Sequence, residues 1–253
     1  MSMERDELKA LWKAEEACAF KGWDFSRLEG RWQSMPLSWD YRTHVLSDLD
    51  PDDWLLDMGT GGGEFLVTLG HPHNHTAVTE AYAPNFALCK KRLEPLGIQV
   101  EQVTDDRCLP FDAARFDIVI NRHESYDAAE VYRILKPGGR FITQQVGGRN
   151  DADLSARLID GFAPQFPDHT LENNLMALRE CGFDILQSAQ AVSPLRFFDV
   201  GAVVYFAKII EWEFPGFSVD ACFEALCGLQ SELDEKGYIE ATEERFLIDA
   251  VKR

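Results

Sequence analysis

Residues 57–65, Asp57-Met58-Gly59-Thr60-Gly61-Gly62-Gly63-Glu64-Phe65, decide how this chain is read. They close an apolar run, WLLDMG at 54–59, that has the length of a buried strand. Glycines at 59, 61 and 63 let the backbone approach a nucleotide-like ligand with no Cβ in the way. The helix expected next presents free N–H groups to that ligand. Asp57, at the strand end, is placed to accept from an ammonium or a hydroxyl. The spacing is DxGxGxG, and Glu64 stands where a dinucleotide fingerprint needs its third glycine. A carboxylate there repels a pyrophosphate and sets no penalty on a ligand without phosphates. Taken alone, the loop leaves open a nicotinamide or flavin site, or a glycine turn that holds nothing.

Outward from this loop, strands and helices alternate. HTAVTE (75–80), IQVEQV (98–103), FDIVIN (116–121) and RFITQQV (140–146) read as strands. Helices are expected around NFALCKKRLEPL and over Ala128–Leu135, the latter stopped by Lys136-Pro137-Gly138-Gly139. This rhythm predicts a mostly parallel sheet covered by helices on both faces. Beyond 150 the rhythm breaks. LENNLMALRECGF reads as a helix, FDILQSAQAV as a sixth strand, and RFLIDAVKR as a seventh. Helical stretches at 197–212 and 218–237 form an insertion within a main domain over 51–253. Residues 1–50 are rich in aromatics, with Trp12, Phe20, Trp23, Phe25, Trp32, Trp39 and Tyr41, and read as a helical cap. Leu8, Leu11, Trp12 and Glu15 fall at helical spacing on one packed stripe.

Composition narrows the function. There are 25 lysines and arginines against 43 aspartates and glutamates, a net charge of −18. A protein that grips a phosphate backbone usually shows a basic face, so nucleic acid is not expected as a partner. No apolar stretch reaches membrane-spanning length, and the acid-rich start does not have the form of a leader, so a cytoplasmic protein is expected. The six cysteines form no CxxC pair and read as free thiols. His71, His73 and His75 lack a partner at ligand spacing and read as a solvated loop, so no metal site is expected.

Two further acidic positions suit an adenosine. Glu80 closes the second strand, where a carboxylate can take both ribose hydroxyls. Asp105 and Asp106 follow the third strand, where a carboxylate accepts from an exocyclic adenine amine and the next backbone N–H meets a ring nitrogen.

Together, DMGTGGGEF, VTEA, TDDRCLPFDAARFDIVINR and EVYRILKPGGRFITQQV resemble the class I methyltransferases, in particular the group of UbiE-like and type 11 methyltransferase domains. The LPF…FDIV…R…LKPGGRF series is specific to that group. The resemblance covers about residues 50–147 and implies an S-adenosyl-L-methionine cofactor, released as S-adenosyl-L-homocysteine. It implies a three-layer Rossmann-like α/β fold with seven strands in the order 3-2-1-4-5-7-6, the seventh antiparallel. It assigns Asp57, Gly59, Gly61 and Gly63 to the methionine part of the cofactor, Glu80 to the ribose, Asp105 and Asp106 to the adenine, and Asn121 to backbone contacts. The expected activity is methyl transfer, by direct displacement, to a small-molecule acceptor. An RNA or protein methyltransferase, and a non-enzymatic cofactor binder, are the alternatives.

The chain departs from the commonest pattern of this group at Arg122-His123-Glu124-Ser125-Tyr126, after the fourth strand. A sulfonium methyl is already activated, so such an enzyme mainly aligns a nucleophile and needs no fixed triad. His123 is the candidate base and Glu124 a candidate for binding a cationic or hydroxyl group. Arg122, Gln144 and Gln145 are candidates to line the same pocket. Phe197, Phe198, Tyr205, Phe206 and Trp212 are read either as core or, with the N-terminal segment, as a lid.

Overall fold

Strand residues that alternate between two apolar faces need cover on both sides, and the chain supplies it with helices. The computed structural model describes residues 4–20 and 25–253; Trp23 lies outside them. Its elements are α1 (Arg5–Glu16), β1 (Trp32–Ser34), α2 (Tyr41–Leu46), β2 (Leu55–Met58), α3 (Glu64–Leu69), β3 (Thr76–Glu80), α4 (Ala83–Leu93) and β4 (Gln99–Gln102). They continue with β5 (Phe116–Arg122), α5 (Ala128–Ile134), β6 (Leu135–Val146), α6 (Ala152–Leu158), α7 (Leu171–Glu180), β7 (Phe183–Phe197), α8 (Val200–Ile209), α9 (Phe223–Lys236) and β8 (Ile239–Lys252). The strands are hydrogen-bonded in the order β1-β7-β8-β6-β5-β2-β3-β4. The expected seven strands are thus corrected to eight. The added one, β1, comes from a segment read as helical; Trp32 and Ser34 pair antiparallel with Phe197 and Leu195.

Two compact units result. The second holds residues 37–146, 169–190 and 245–253. Within it β4, β3, β2, β5 and β6 are parallel, and β8 lies antiparallel to β6. Alternation splits its core in two. Leu56, Val119, Phe141, Phe246 and Ile248 pack on one face with Val131 and Ile134 of α5 and Leu178 of α7. Leu55, Ile118, Ile120, Ile142 and Leu247 pack on the other with α2, α3 and α4. This is a three-layer α/β arrangement. The parallel order also brings the carboxyl ends of β2, β3 and β5 side by side, where open α/β sheets bind ligands.

The first unit holds the described part of residues 1–36, with 147–168 and 191–244. Leu8 and Trp12 of α1 are buried in its core, whereas Leu11 is 52% exposed. The stripe is therefore narrower than its spacing suggested. Val200–Ala207 of α8 are all buried, as a helix apolar on every side requires. Phe197, Tyr205 and Phe206 belong to this core, while Phe198 and Trp212 are exposed. Asp199 caps α8 by accepting from Ala202 N at 2.7 Å, and it receives Arg31 at two points, 2.8 and 2.6 Å.

Two local expectations change. The Lys136–Gly139 stretch lies inside β6, because Leu135 already pairs with Phe116 and the register then shifts to Ile118↔Arg140. Nor is His71 solvated: it is buried, and its Nε2 lies 2.8 Å from the Asp53 carbonyl at the entry to β2. No helix among the described residues is long and apolar enough to cross a membrane. The six cysteines are free thiols.

One buried ionic knot ties β6 to β8. Asp249 is 2% exposed and takes both Arg140, whose Nε lies at 3.0 Å, and His44 Nε2 at 2.8 Å. Arg140 also meets Asp48. Removing the shared acceptor leaves the half-buried Arg140 with Asp48 alone and takes the partner from His44 Nε2. Asp249→Ala should lose about 3 kcal/mol or more in urea unfolding. Asp184→Ala, whose pair with Arg253 is exposed, should lose less than about 1 kcal/mol.

Candidate active site

The turn after β2 is built by its glycines and held by its neighbours. Gly59, Gly61 and Gly63 have φ of +66°, +64° and +79°, a region that side chains disfavour. A Cβ at Gly59 would overlap the Cβ and Cγ of Glu124, and one at Gly63 would lie 2.9 Å from Leu93 Cδ1. The turn's own backbone is bound on every side. Thr60 N donates to the Thr79 carbonyl at 3.1 Å, and Gly61 N donates to Glu80 Oε2 at 2.8 Å. From α4, the Cys89 thiol donates to the Gly61 carbonyl at 2.8 Å and Arg92 donates to the Gly62 carbonyl at 2.8 Å. Arg92 also pairs with Glu64.

Four carboxyl groups surround this turn. Asp57 is buried within β2, and its Oδ2 accepts from Thr60 Oγ1 at 2.7 Å. Burial pushes its pKa up to about 6; the Thr60 bond and Arg122 counteract this, and Glu80 adds to it. Glu80 is buried and accepts from the Gly61 and Tyr82 backbone at 2.8 and 2.9 Å; burial raises its pKa as well. Glu124 lies against Gly59, and burial, then the charges of Glu80 and Asp106, push its carboxyl up to about 7. Asp106 accepts from Ser125 Oγ at 2.6 Å, and burial raises its pKa too. Asp105 is placed differently. It is exposed and bound by Arg107 through three hydrogen bonds, which lower its pKa.

At the carboxyl ends of β5 and β6 the polar groups form a tighter web. Asn121 is fully buried, with its Oδ1 accepting from Gln145 Nε2 at 2.6 Å and from Thr143 Oγ1 at 3.2 Å. Its backbone is occupied by the Tyr41 hydroxyl, which lies 3.0 Å from its carbonyl and 3.2 Å from its N–H. Tyr41 also lies 3.1 Å from the Ile142 carbonyl, so one phenol bridges two parallel strands. Arg122 stacks over Phe65 at 4.4 Å. His123 follows with φ +64° and donates its N–H to the Gln144 carbonyl at 2.8 Å. Its ring Nε2 lies 3.0 Å from Gln144 Nε2, and Gln144 Oε1 accepts from Trp39 Nε1 at 2.8 Å. Enclosure by protein, then Arg245 and Arg122, lower its pKa, although the residue keeps an exposed face. Gln145 points instead toward His169, at 3.3 Å.

Of the positions read from the sequence, Asp57, Gly59, Gly61, Gly63, Glu80, Asp106 and Glu124 are therefore brought together. Asp105 turns to Arg107, and Asn121 is fully buried, its side chain held by Thr143 and Gln145. Thr60, Cys89, Arg92 and Tyr41 as holders of the site, and Trp39 as the partner of Gln144, were not legible from residue patterns. Thr60 lies in the glycine stretch but has no role in its spacing, and Cys89 and Arg92 belong to no motif; only the aromatic density before β2 hinted at Tyr41 and Trp39. Among the described residues no three His, Cys, Asp or Glu side chains are grouped so as to hold a metal.

Comparison with known proteins finds likenesses of two kinds. Residues 56–143, which include most of β2, the glycine turn, Glu80 and Asn121–Glu124, match the family model of the methyltransferase domain. Over that stretch, about a third of the chain, it is similar to a methyltransferase domain. None of the curated proteins matches it. Among solved structures it is similar to a candidate methyltransferase from Bacillus halodurans, with TM-score 0.55 and 17% identity, over 83% of this chain and 96% of that one. It is similar also to YcgJ from Bacillus subtilis, with TM-score 0.55 and 18% identity, over 84% and 98%. A third, the [4+2]-cyclase SpnF, has TM-score 0.50 and 18% identity, over 98% and 93%. At such identity these likenesses show the fold, and one fold hosts different reactions.

The two reasons for glycine in the turn can be separated. Gly70, with φ +67°, has nothing within 4 Å of an added Cβ. Gly70→Ala should therefore cost only the left-handed strain, about 1–2 kcal/mol. Gly59→Ala must also displace Glu124 and should cost clearly more in thermal unfolding.

Proposed function

We propose that the protein is an S-adenosylmethionine-dependent methyltransferase acting on a small molecule. One observation carries the cofactor assignment. Asp57, Glu80, Asp106 and Glu124 crowd a glycine turn with raised pKa values, and the one positive side chain counteracting the rise at Asp57 is Arg122. Carboxyl groups so short of countercharge fit a ligand that brings positive charge without phosphates. S-adenosylmethionine has that character, with an ammonium and a sulfonium, and when bound it supplies a methyl group already activated for transfer. Asp57 and the glycine turn would hold its amino-acid part. Glu80 keeps lone pairs beyond its two backbone bonds for ribose hydroxyls. Asp106, rather than the Arg107-bound Asp105, is the better placed of the two acids toward the base.

On this reading the segment Arg122–Ser125, with Gln144, faces the methyl acceptor. Glu124 stands between the two sides, against Gly59 and close to neutrality at its pKa of about 7. It is therefore suited to bind a cation or to take up a proton as the acceptor gives one away. The net charge of −18 supports a small acceptor over RNA.

Calorimetry should show one cofactor bound per chain, lost in Gly61→Val; no uptake of S-adenosylmethionine or S-adenosylhomocysteine at millimolar concentration would overturn the reading. Release of S-adenosylhomocysteine with candidate acceptors tests transfer itself.

The sign of the pH effect follows from the carboxyls. Asp57 and Glu124 are protonated below about 6 and 7 and charged above. Affinity for the cationic cofactor should fall about tenfold or more from pH 8 to 5.5, whereas the uncharged sulfur of S-adenosylhomocysteine should respond less. A carboxyl whose folded pKa is raised binds more protons folded than unfolded, so its contribution to stability declines as pH rises through that range. Glu124→Gln should therefore stabilise the ligand-free protein at pH 8 by about 1–3 kcal/mol while weakening cofactor binding.

A further inference from the structure

Three side chains at the carboxyl ends of β5 and β6 form a hydrogen-bond chain whose polarity is fixed at one end. The indole N–H of Trp39 can only donate, and it lies 2.8 Å from Gln144 Oε1. That contact sets the orientation of the amide, since the flipped form would place two donors face to face. The amide NH2 of Gln144 is consequently turned toward His123 Nε2, 3.0 Å away. A ring nitrogen facing a donor must offer its lone pair. The imidazole is then neutral, with its proton on Nδ1.

The remaining surroundings reinforce this state. Arg245 of β8 and Arg122 of β5 are the charged groups that act on the ring, and both oppose an added positive charge. Protonation at Nε2 would also set two donors 3.0 Å apart. The backbone N–H of His123, bound to the Gln144 carbonyl at 2.8 Å, holds the residue against the same side chain. Among the described residues Nδ1–H has no hydrogen-bond partner, and the residue keeps an exposed face.

We propose that His123 meets the methyl acceptor as a neutral hydrogen-bond donor through Nδ1, locked by Trp39 and Gln144, and does not act as a base. The lone pair that a base requires is already engaged by Gln144. An N–H donor is met by an atom with a lone pair, such as the oxygen of a carboxylate or a carbonyl. The substrate then carries such an oxygen near the atom to be methylated, and any proton lost from that atom goes to another group, Glu124 or water. This inference rests on the reading of the Arg122–Gln144 side as the acceptor side.

Nitrogen-15 spectra of the full chain, read through the long-range imidazole couplings, test it. His123 should show the proton on Nδ1 from pH 5 to 8.5 without titrating. A proton on Nε2, or ordinary titration near pH 6.5, would overturn the proposal. Gln144→Glu replaces the donor with an acceptor and should move the proton to Nε2 and make the ring titrate; an unchanged Nδ1–H pattern in that variant would show that Gln144 is not the lock. Benzoate and benzamide serve as probes for the two oxygen types. A shift of the Nδ1–H resonance with either supports the donor role and distinguishes carboxylate from carbonyl, whereas no shift with both removes the oxygen-acceptor assignment. Cofactor uptake measured on the same samples keeps the questions apart. Normal uptake with the wrong tautomer overturns this inference alone, and absent uptake with the right tautomer overturns only the methyltransferase reading.

Discussion

The hydrogen bond from Gly61 N to Glu80 is the contact on which the site depends. A carboxylate buried at the end of a parallel strand is costly unless donors meet it, and Glu80 finds them in the backbone of Gly61 and Tyr82. To deliver its N–H downward onto β3, the chain leaving β2 must turn through left-handed backbone at residues 59, 61 and 63. That in turn exposes the carbonyls of Gly61 and Gly62, which Cys89 and Arg92 of α4 satisfy. The turn, the end of β3 and the inner face of α4 are thereby one object, and no part of it is free to relax separately.

Its electrical character follows from the same burial. Acids gather on the glycine side, each making the others harder to ionise, while Arg122, Arg245 and a neutral imidazole gather at the β5–β6 side. A cation that arrives among the acids removes the repulsion among them, so binding and ionisation are coupled. The β5–β6 side carries N–H donors, in Arg122 and Gln144.

Much of the second unit was legible in the sequence because its signals are local. Four buried residues ending in DMG can only be a central strand with a glycine turn, and an acid at the end of HTAVTE lies beside that turn in any parallel pairing. β1 was not legible: three residues, Trp32–Ser34, become a strand only because Phe197–Leu195 offers them an edge. The same limit applied to Leu11, whose helical spacing matched that of the buried Leu8 and Trp12 while the core ended short of it.

The sequence by itself determined the α/β class, the glycine turn and the acids that flank it, since each is written in residues close together along the chain. The tertiary structure alone decided that Asp105 turns to Arg107 while Asp106 meets Ser125, that Glu124 rests on Gly59, and that Trp39 reaches Gln144 and through it His123. Those relations join residues up to 105 positions apart. A hydrogen-bond polarity passed between such residues has no trace in any local pattern.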